Sequence, residues 1–406
     1  MKLWSKKEKA RIYADAAAAT PLSSTVKREL FRLFEVYGNP GALHQEAVAA
    51  KNELEGARER VARAIGAHAD EITFTSGGTE ANNLAIFGTL RALLREHGEL
   101  NAITTVVEHA SVLEPLHALE EEGLYISYLP VNEEGLVDPK IFREAISEET
   151  VFVSVQTVNS EIGTIQDIHE IAKEIRHRRQ DRERKLPLYF HTDASQAPLW
   201  EPLSVEKLGV DLLTLDAQKI MGPKGAGALF VRRGIELEPI IYGGGQERGK
   251  RSGTENVPFA GVLALALEEA QEGREDRVRN ISHVRDYLLE EIKKNIPGVM
   301  LHGVSPSTPL GATRSVRVAN NINIYIPNLN GDMAVVALSS EGIAASTRSA
   351  CDTDEDTPSH VLAAIGVSPE QAKNSIRLTL LPTATKSEAN HIVAALVDIA
   401  KRYTQK

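Results

Sequence analysis

Four turns in the first 220 residues carry a side chain able to do chemistry, each placed just after a short apolar, β-branched run. Glu108-His109 follows the run 102–107 and Asn159 follows 151–155. Asp193 closes 188–192, and Lys219 comes a few residues after 210–215. A lysine amine condenses with carbonyl compounds to give an imine. An acid beside a pyridine nitrogen keeps that ring protonated, so that it works as an electron sink; an enzyme using pyridoxal 5'-phosphate needs both groups. Taken singly, each residue also has a plainer reading. Asp193 is a good helix N-cap, Lys219 a good surface lysine, and His109 and Asn159 are ordinary hydrogen-bonded turn residues.

The turn after 71–75 reads Ser76-Gly77-Gly78-Thr79-Glu80. Two glycines let a ligand approach the backbone, Thr79 offers a hydroxyl, and the helix that follows starts with unpaired amides, which together make an anion seat. The run Ser76-Gly77-Gly78-Thr79 is equally a good helix start. Cys351 is the one cysteine, so it forms no intrachain disulfide and no multi-thiolate metal site; it is either buried filler or a reactive group.

The elements that must position these groups are legible from periodicity. Runs at 71–75, 102–107, 151–155, 188–192 and 210–215 alternate with helical stretches from Glu80, over 112–122 and over 168–176, which predicts an α/β domain with a mostly parallel sheet. Ligands of such sheets sit beyond the carboxyl ends of the strands, where the residues above fall. The mixed-charge run 177–185 reads as a solvated helix end and linker. A helical stretch over 262–294, a loop around Pro306, Pro309 and Gly311, and the strand-like 321–326 suggest a second, smaller α+β domain.

With 406 residues, 42% hydrophobic and 25% charged, composition is that of an ordinary globular chain. A net charge of −10 with no long basic stripe argues against nucleic acid. No apolar run approaches the roughly 20 residues of a membrane span, and the basic start continues into more charge, so the expectation is a cytoplasmic protein with no membrane attachment.

Along nearly its whole length the sequence resembles the cysteine desulfurase family of fold-type I pyridoxal-phosphate enzymes. The resemblance is carried by residues 15–21, 38–40, 75–83, 108–109, 158–163, 191–196, 219–227, 243–249 with 251–254, 346–360 and 375–377. It implies a large domain (21–271) built on a mostly parallel seven-stranded sheet flanked by helices. A small domain (1–20 and 272–406) would carry the catalytic cysteine loop, 346–358. It implies that Lys219 bonds the cofactor, Asp193 pairs with its ring nitrogen, and His109 stacks on the ring and passes protons. Gln196 would bind the ring oxygen, and Asn159 would lie near the ring and the substrate carboxylate. Gly78 and Thr79 would seat the phosphate, with Thr254 reaching in from the other subunit of a homodimer. Arg377 would clamp the substrate carboxylate. Cys351, in a polar and charged loop, becomes the thiol that takes sulfur from L-cysteine, leaving alanine and a persulfide for an iron–sulfur scaffold or sulfur-carrier protein.

The chain departs from the family pattern in a cluster. Asp216 and Gln218 stand where a serine and a histidine are usual around the cofactor phosphate, Ala16 replaces an asparagine, Arg348 a glycine, and Leu381-Pro382 a Gly-Arg pair. Asp216 facing a phosphate dianion would repel it unless the side chain turns away or stays protonated. Asp352, Asp354, Glu355 and Asp356 would raise the thiol pKa of Cys351. The rival readings are a selenocysteine lyase, an aminotransferase for which Cys351 is dispensable, and a catalytically weakened homologue acting as a binding scaffold.

Overall fold

The run Thr150–Ser154 is buried at every position, as are Leu212–Asp216 and Gly227–Val231. Strands hidden on both faces need helices on both sides, which is why their apolar residues run continuously where a half-exposed strand would alternate. The computed structural model describes residues 11–183, 186–306, 309–310, 314–347 and 359–404. In chain order its strands are β1 (Ile12–Tyr13), β2 (Ile72–Thr75), β3 (Asn101–Thr105), β4 (Tyr125–Leu129), β5 (Thr150–Ser154), β6 (Tyr189–Asp193) and β7 (Leu212–Asp216). They continue with β8 (Gly227–Val231), β9 (Met300–Leu301), β10 (Pro309–Leu310), β11 (Arg314–Ser315), β12 (Asn321–Tyr325), β13 (Ile343–Ala344) and β14 (Ser375–Thr379).

Strands β2 to β8 form one seven-stranded sheet in the order β2-β8-β7-β6-β5-β3-β4. All neighbours are parallel except the two pairings made by β8, which runs antiparallel to β2 and β7. The expected α/β class and mostly parallel seven-stranded sheet are therefore present. Apolar periodicity along the chain does not mark β4 or β8. Strand β4 is an edge strand, partly exposed from Tyr125 onward, so the apolar signal is weak.

The longer helices are α1 (Ser24–Phe34), α2 (Gln45–Ile65), α3 (Gly78–His97), α4 (Ala110–Glu121) and α5 (Ile168–Asp181), followed by α6 (Val257–Gln271), α7 (Arg274–Asn295), α8 (Gly331–Ser340) and α9 (Lys386–Thr404). The stretch 262–294 is thus two helices, broken where Glu272 turns extended. Nor is 177–185 wholly solvated. Helix α5 continues to Asp181, and Arg179 turns inward to bond the Leu188 carbonyl at 2.9 Å and the Asp211 carboxylate.

A second sheet, β14-β12-β9, is antiparallel. The N-terminal segment is stitched to it. Strand β1 pairs parallel with β13, Asp15 bridges Thr379, and the Thr379 amide donates to Ala14 O at 2.8 Å. That stitching lays residues 15–19 across the carboxyl end of the large sheet. Among the described residues no helix is long and apolar enough to cross a membrane.

Candidate active site

Because β3, β5, β6 and β7 are parallel, the turns that follow them open on one side of the sheet. They converge on a cavity of about 420 Å³. His109, Asp193, Gln196, Asp216, Gln218 and Lys219 line it, together with Gly78 and Thr79 at the start of α3 and Arg377 of β14.

Asp193 ends β6 with both carboxylate oxygens engaged. Oδ1 accepts from the Ser195 amide at 2.9 Å and Oδ2 from Asn82 Nδ2 at 2.8 Å. The other Asn82 amide hydrogen goes to Ser111 Oγ at 2.8 Å, and Ser111 Oγ lies 2.7 Å from His109 Nδ1. The Ser111 amide also donates to His109 Nδ1, at 3.1 Å. A backbone N–H has no lone pair to offer, so Nδ1 is the acceptor and the proton of a neutral His109 ring resides on Nε2. Asp193, Asn82, Ser111 and His109 therefore form one connected line of hydrogen bonds. His191, two residues before Asp193 and fully buried, has its pKa pushed down to about 4 by burial, partly offset by Asp193. It stays neutral between Ser154 and Thr214.

Lys219 follows β7, and its Nζ donates to Ala17 O at 2.8 Å and Ala18 O at 2.7 Å. Gln196 Nε2 donates to the same Ala17 carbonyl at 2.9 Å. The segment laid across by the β1 pairing thus holds both side chains at the cavity edge. Arg377 is 1% exposed. It bonds Asp15 Oδ1 at 3.0 Å and Ser160 O at 3.2 Å, while its Nε has no hydrogen-bond partner among the described residues. Tyr13, also on the wall, donates to Ala19 O and has its pKa raised by burial and by Asp15.

At the other end, α3 begins without a side-chain cap. Gly77 holds φ 150°, a region that favours glycine, and the two residues that follow it, Gly78 and Thr79, line the cavity. A Cβ on Gly78 would come within 2.9 Å of Ser195 Oγ, so a larger residue would fill the cradle. The seat, the acid, the imidazole and the amine thus fit a phosphorylated pyridine aldehyde.

Glu108, next to His109, is fully buried, and desolvation pushes its pKa up to about 8 against hydrogen bonds from Thr105 and the Gln156 amide. His360 Nε2 lies 3.0 Å from the Glu108 carbonyl.

Two expected residues stand apart from the cavity. Asn159 lies behind its wall, 3% exposed; its Nδ2 donates to Val107 O, and its Oδ1 accepts from the Glu161 and Ile162 amides. Thr254 is exposed and borders a separate hollow of about 230 Å³ with Thr75, Ser76 and Arg251. Cys351, with Arg348, Asp352, Asp354, Glu355 and Asp356, lies outside the described residues. Sequence reasoning gave no role to Asn82 or Ser111. The available signal was an amide among Ala81, Leu84 and Ala85 on the buried face of α3.

A family model, Aminotransferase class-V, matches residues 12–392. A protein of Dictyoglomus turgidum described as cysteine desulfurase IscS is 41% identical over 98% of this chain and 95% of its own. Among solved structures, a NifS-like protein superposes with a TM-score of 0.86 at 32% identity, covering 97% of this chain and 100% of that one. Another, described as SspA in complex with cysteine, gives a TM-score of 0.74 at 32% identity over 92% of this chain and 100% of its own.

Proposed function

This chain belongs to the cysteine desulfurase family within the class-V aminotransferases, and from that premise we propose that it transfers sulfur from L-cysteine to Cys351, releasing L-alanine. The observation that carries the proposal is the convergence of Lys219, Asp193, His109 and Arg377 on one cavity.

Gly78, Thr79, Asp193, Gln196, Asp216, Gln218 and Lys219 would hold pyridoxal 5'-phosphate, with Asn159 behind the wall and Thr254 contributed across a homodimer. Bound there, the cofactor supplies an electron sink for bond breaking at the substrate's Cα and Cβ. Lys219 both anchors it and moves the Cα proton. Asp193, fixed by Asn82, keeps the ring nitrogen charged. His109, with Nδ1 committed to Ser111, offers Nε2 for passing protons. Arg377 takes the substrate carboxylate on its planar fork, and that recognition orients the sulfur.

The Cys351 thiolate attacks the substrate sulfur. An S–S bond forms as the Cβ–S bond breaks, its electron pair passes to carbon, and a proton there completes alanine. The persulfide then goes to an iron–sulfur scaffold or sulfur-carrier protein. Cytoplasmic residence accords with this role, since a thiol carrier works in a reducing compartment. The division into 21–271 and 1–20 with 272–406 is part of the same reading, supported by the separation of the two sheets along the chain.

The test is to incubate the purified chain with pyridoxal 5'-phosphate and L-cysteine, measure alanine, and examine the Cys351 peptide by mass spectrometry. One added sulfur is expected, along with loss of turnover in Cys351→Ala. Full alanine production by Cys351→Ala would overturn the persulfide route.

A further inference from the structure

We propose that Asp216 makes seating of the cofactor phosphate a proton-coupled event, so that this chain takes up one proton when it binds the phosphorylated cofactor. The inference rests on the cofactor reading above and concerns the end of the cavity where the chain departs from its family.

Asp216 does not turn away from the seat. It closes β7, is 5% exposed, and lines the cavity. A Cβ on Gly78 would come within 3.3 Å of both Asp216 Cβ and Asp216 Oδ2. The carboxylate therefore occupies the same small volume as the first residue of α3 and Ser195 Oγ. Gln218 keeps it there: its backbone amide donates to Oδ1 at 3.1 Å and its Nε2 to Oδ2 at 2.9 Å. Both bonds are donated to the carboxyl oxygens, so together they fix the direction of the side chain. The two unusual residues thus act as a unit, Asp216 carrying the charge and Gln218 fixing its direction.

The α3 amides attract an anion, and Asp216 Oδ2 repels one. Other charged or titratable groups facing the cavity are Lys219 and Lys224 after β7, His109 and Asp193 on adjoining turns, and Tyr13 and Arg377 on the opposite wall. Like charges at hydrogen-bond range raise the proton affinity of one partner. A proton held between a phosphate oxygen and Oδ2 replaces that repulsion with a charge-assisted O–H···O bond, which is short and strong. A phosphate monoester has its second pKa near 6, so above neutrality the free cofactor is chiefly dianionic and the proton must come from solvent. A serine at position 216 would donate its own hydrogen and draw none.

Pyridoxamine 5'-phosphate reports on this without forming a bond to Lys219. Its dissociation constant for the cofactor-free full chain is measured by calorimetry from about pH 6.5 to 8.5, in two buffers of different ionisation heat. The wild-type constant should weaken about tenfold per pH unit, with close to one proton taken up. Asp216→Ser, and Asp216→Asn as the more conservative replacement, should flatten that slope relative to wild type and bind at least tenfold tighter at the upper end. A pH slope and proton count unchanged in both variants overturn the inference while leaving cofactor binding intact. If neither wild type nor variants bind pyridoxamine 5'-phosphate or pyridoxal 5'-phosphate at any pH, the cofactor reading itself falls, and this inference with it.

Discussion

Asn82 and Asp193, 111 residues apart, meet at 2.8 Å, and the same Asn82 nitrogen reaches Ser111, which in turn engages His109. One amide inside a helix therefore fixes the acid at the end of β6 and the imidazole at the start of α4. Asn82 is fully buried and spends both amide hydrogens on these contacts.

Removing that amide uncouples the two groups. Asn82→Ala should lower stability by about 1–3 kcal/mol, the cost of leaving buried acceptors without a donor. It should also weaken retention of pyridoxal 5'-phosphate. Asn82→Asp should be worse, because it sets a second carboxylate against Asp193. Thermal melts and the absorbance of bound cofactor check both. Unaltered cofactor retention in Asn82→Asp would show that the link is incidental.

Glu108 gives the fold a pH dependence of definite sign. Burial pushes its carboxyl from the ordinary value of 4.5 up to about 8. The folded state therefore binds the proton that the unfolded state releases, and stability from this group is full below pH 4.5 and lost as pH rises towards 8. The total is on the order of a few kcal/mol. Glu108→Gln should flatten the dependence of melting temperature on pH across that window. Parallel profiles for the two proteins would contradict this.

Arg58 and Glu247 form a buried pair at 2.7 Å, and Glu247 also accepts from the Phe74 amide at 3.0 Å. The pair ties the loop after β8 to β2, the strand that leads into the α3 seat. Glu247→Ala leaves the buried Arg58 with only the more exposed Glu55, at 3.2 Å, as a charge partner and should cost up to about 3–5 kcal/mol in denaturant unfolding. Replacing both partners by apolar residues should recover much of the loss.

Arg377 is held by Asp15 at 3.0 Å. Arg377→Lys keeps the charge but loses the fork, so KM for L-cysteine should rise about tenfold or more, with a smaller change in kcat. Steady-state kinetics separate the two. An unchanged KM would remove Arg377 from carboxylate recognition.

Much of this molecule was written along the chain in plain form. Short β-branched runs ending in Asp193, in Glu108-His109, and shortly before Lys219 announce parallel strands with chemistry at their carboxyl ends, because a strand buried on both faces must be apolar and its exposed terminus need not be. Motif order was enough for the family. Spacing says nothing, however, about which side chains touch across the sheet. The order β2-β8-β7-β6-β5-β3-β4 brings α3 over β6, so Asn82 finds Asp193. The β1–β13 pairing brings Ala17 and Ala18 to Lys219. A turn residue such as Asn159 reads the same in sequence whether it faces a ligand or stitches its own loop, since both uses need the same amide. Asp216 could equally have swung outward until packing against Gly78 and its bonds to Gln218 fixed it in the seat. Local residue preferences determined the elements and their chemical inventory; only the close packing of distant segments decided which of those groups share a hydrogen bond.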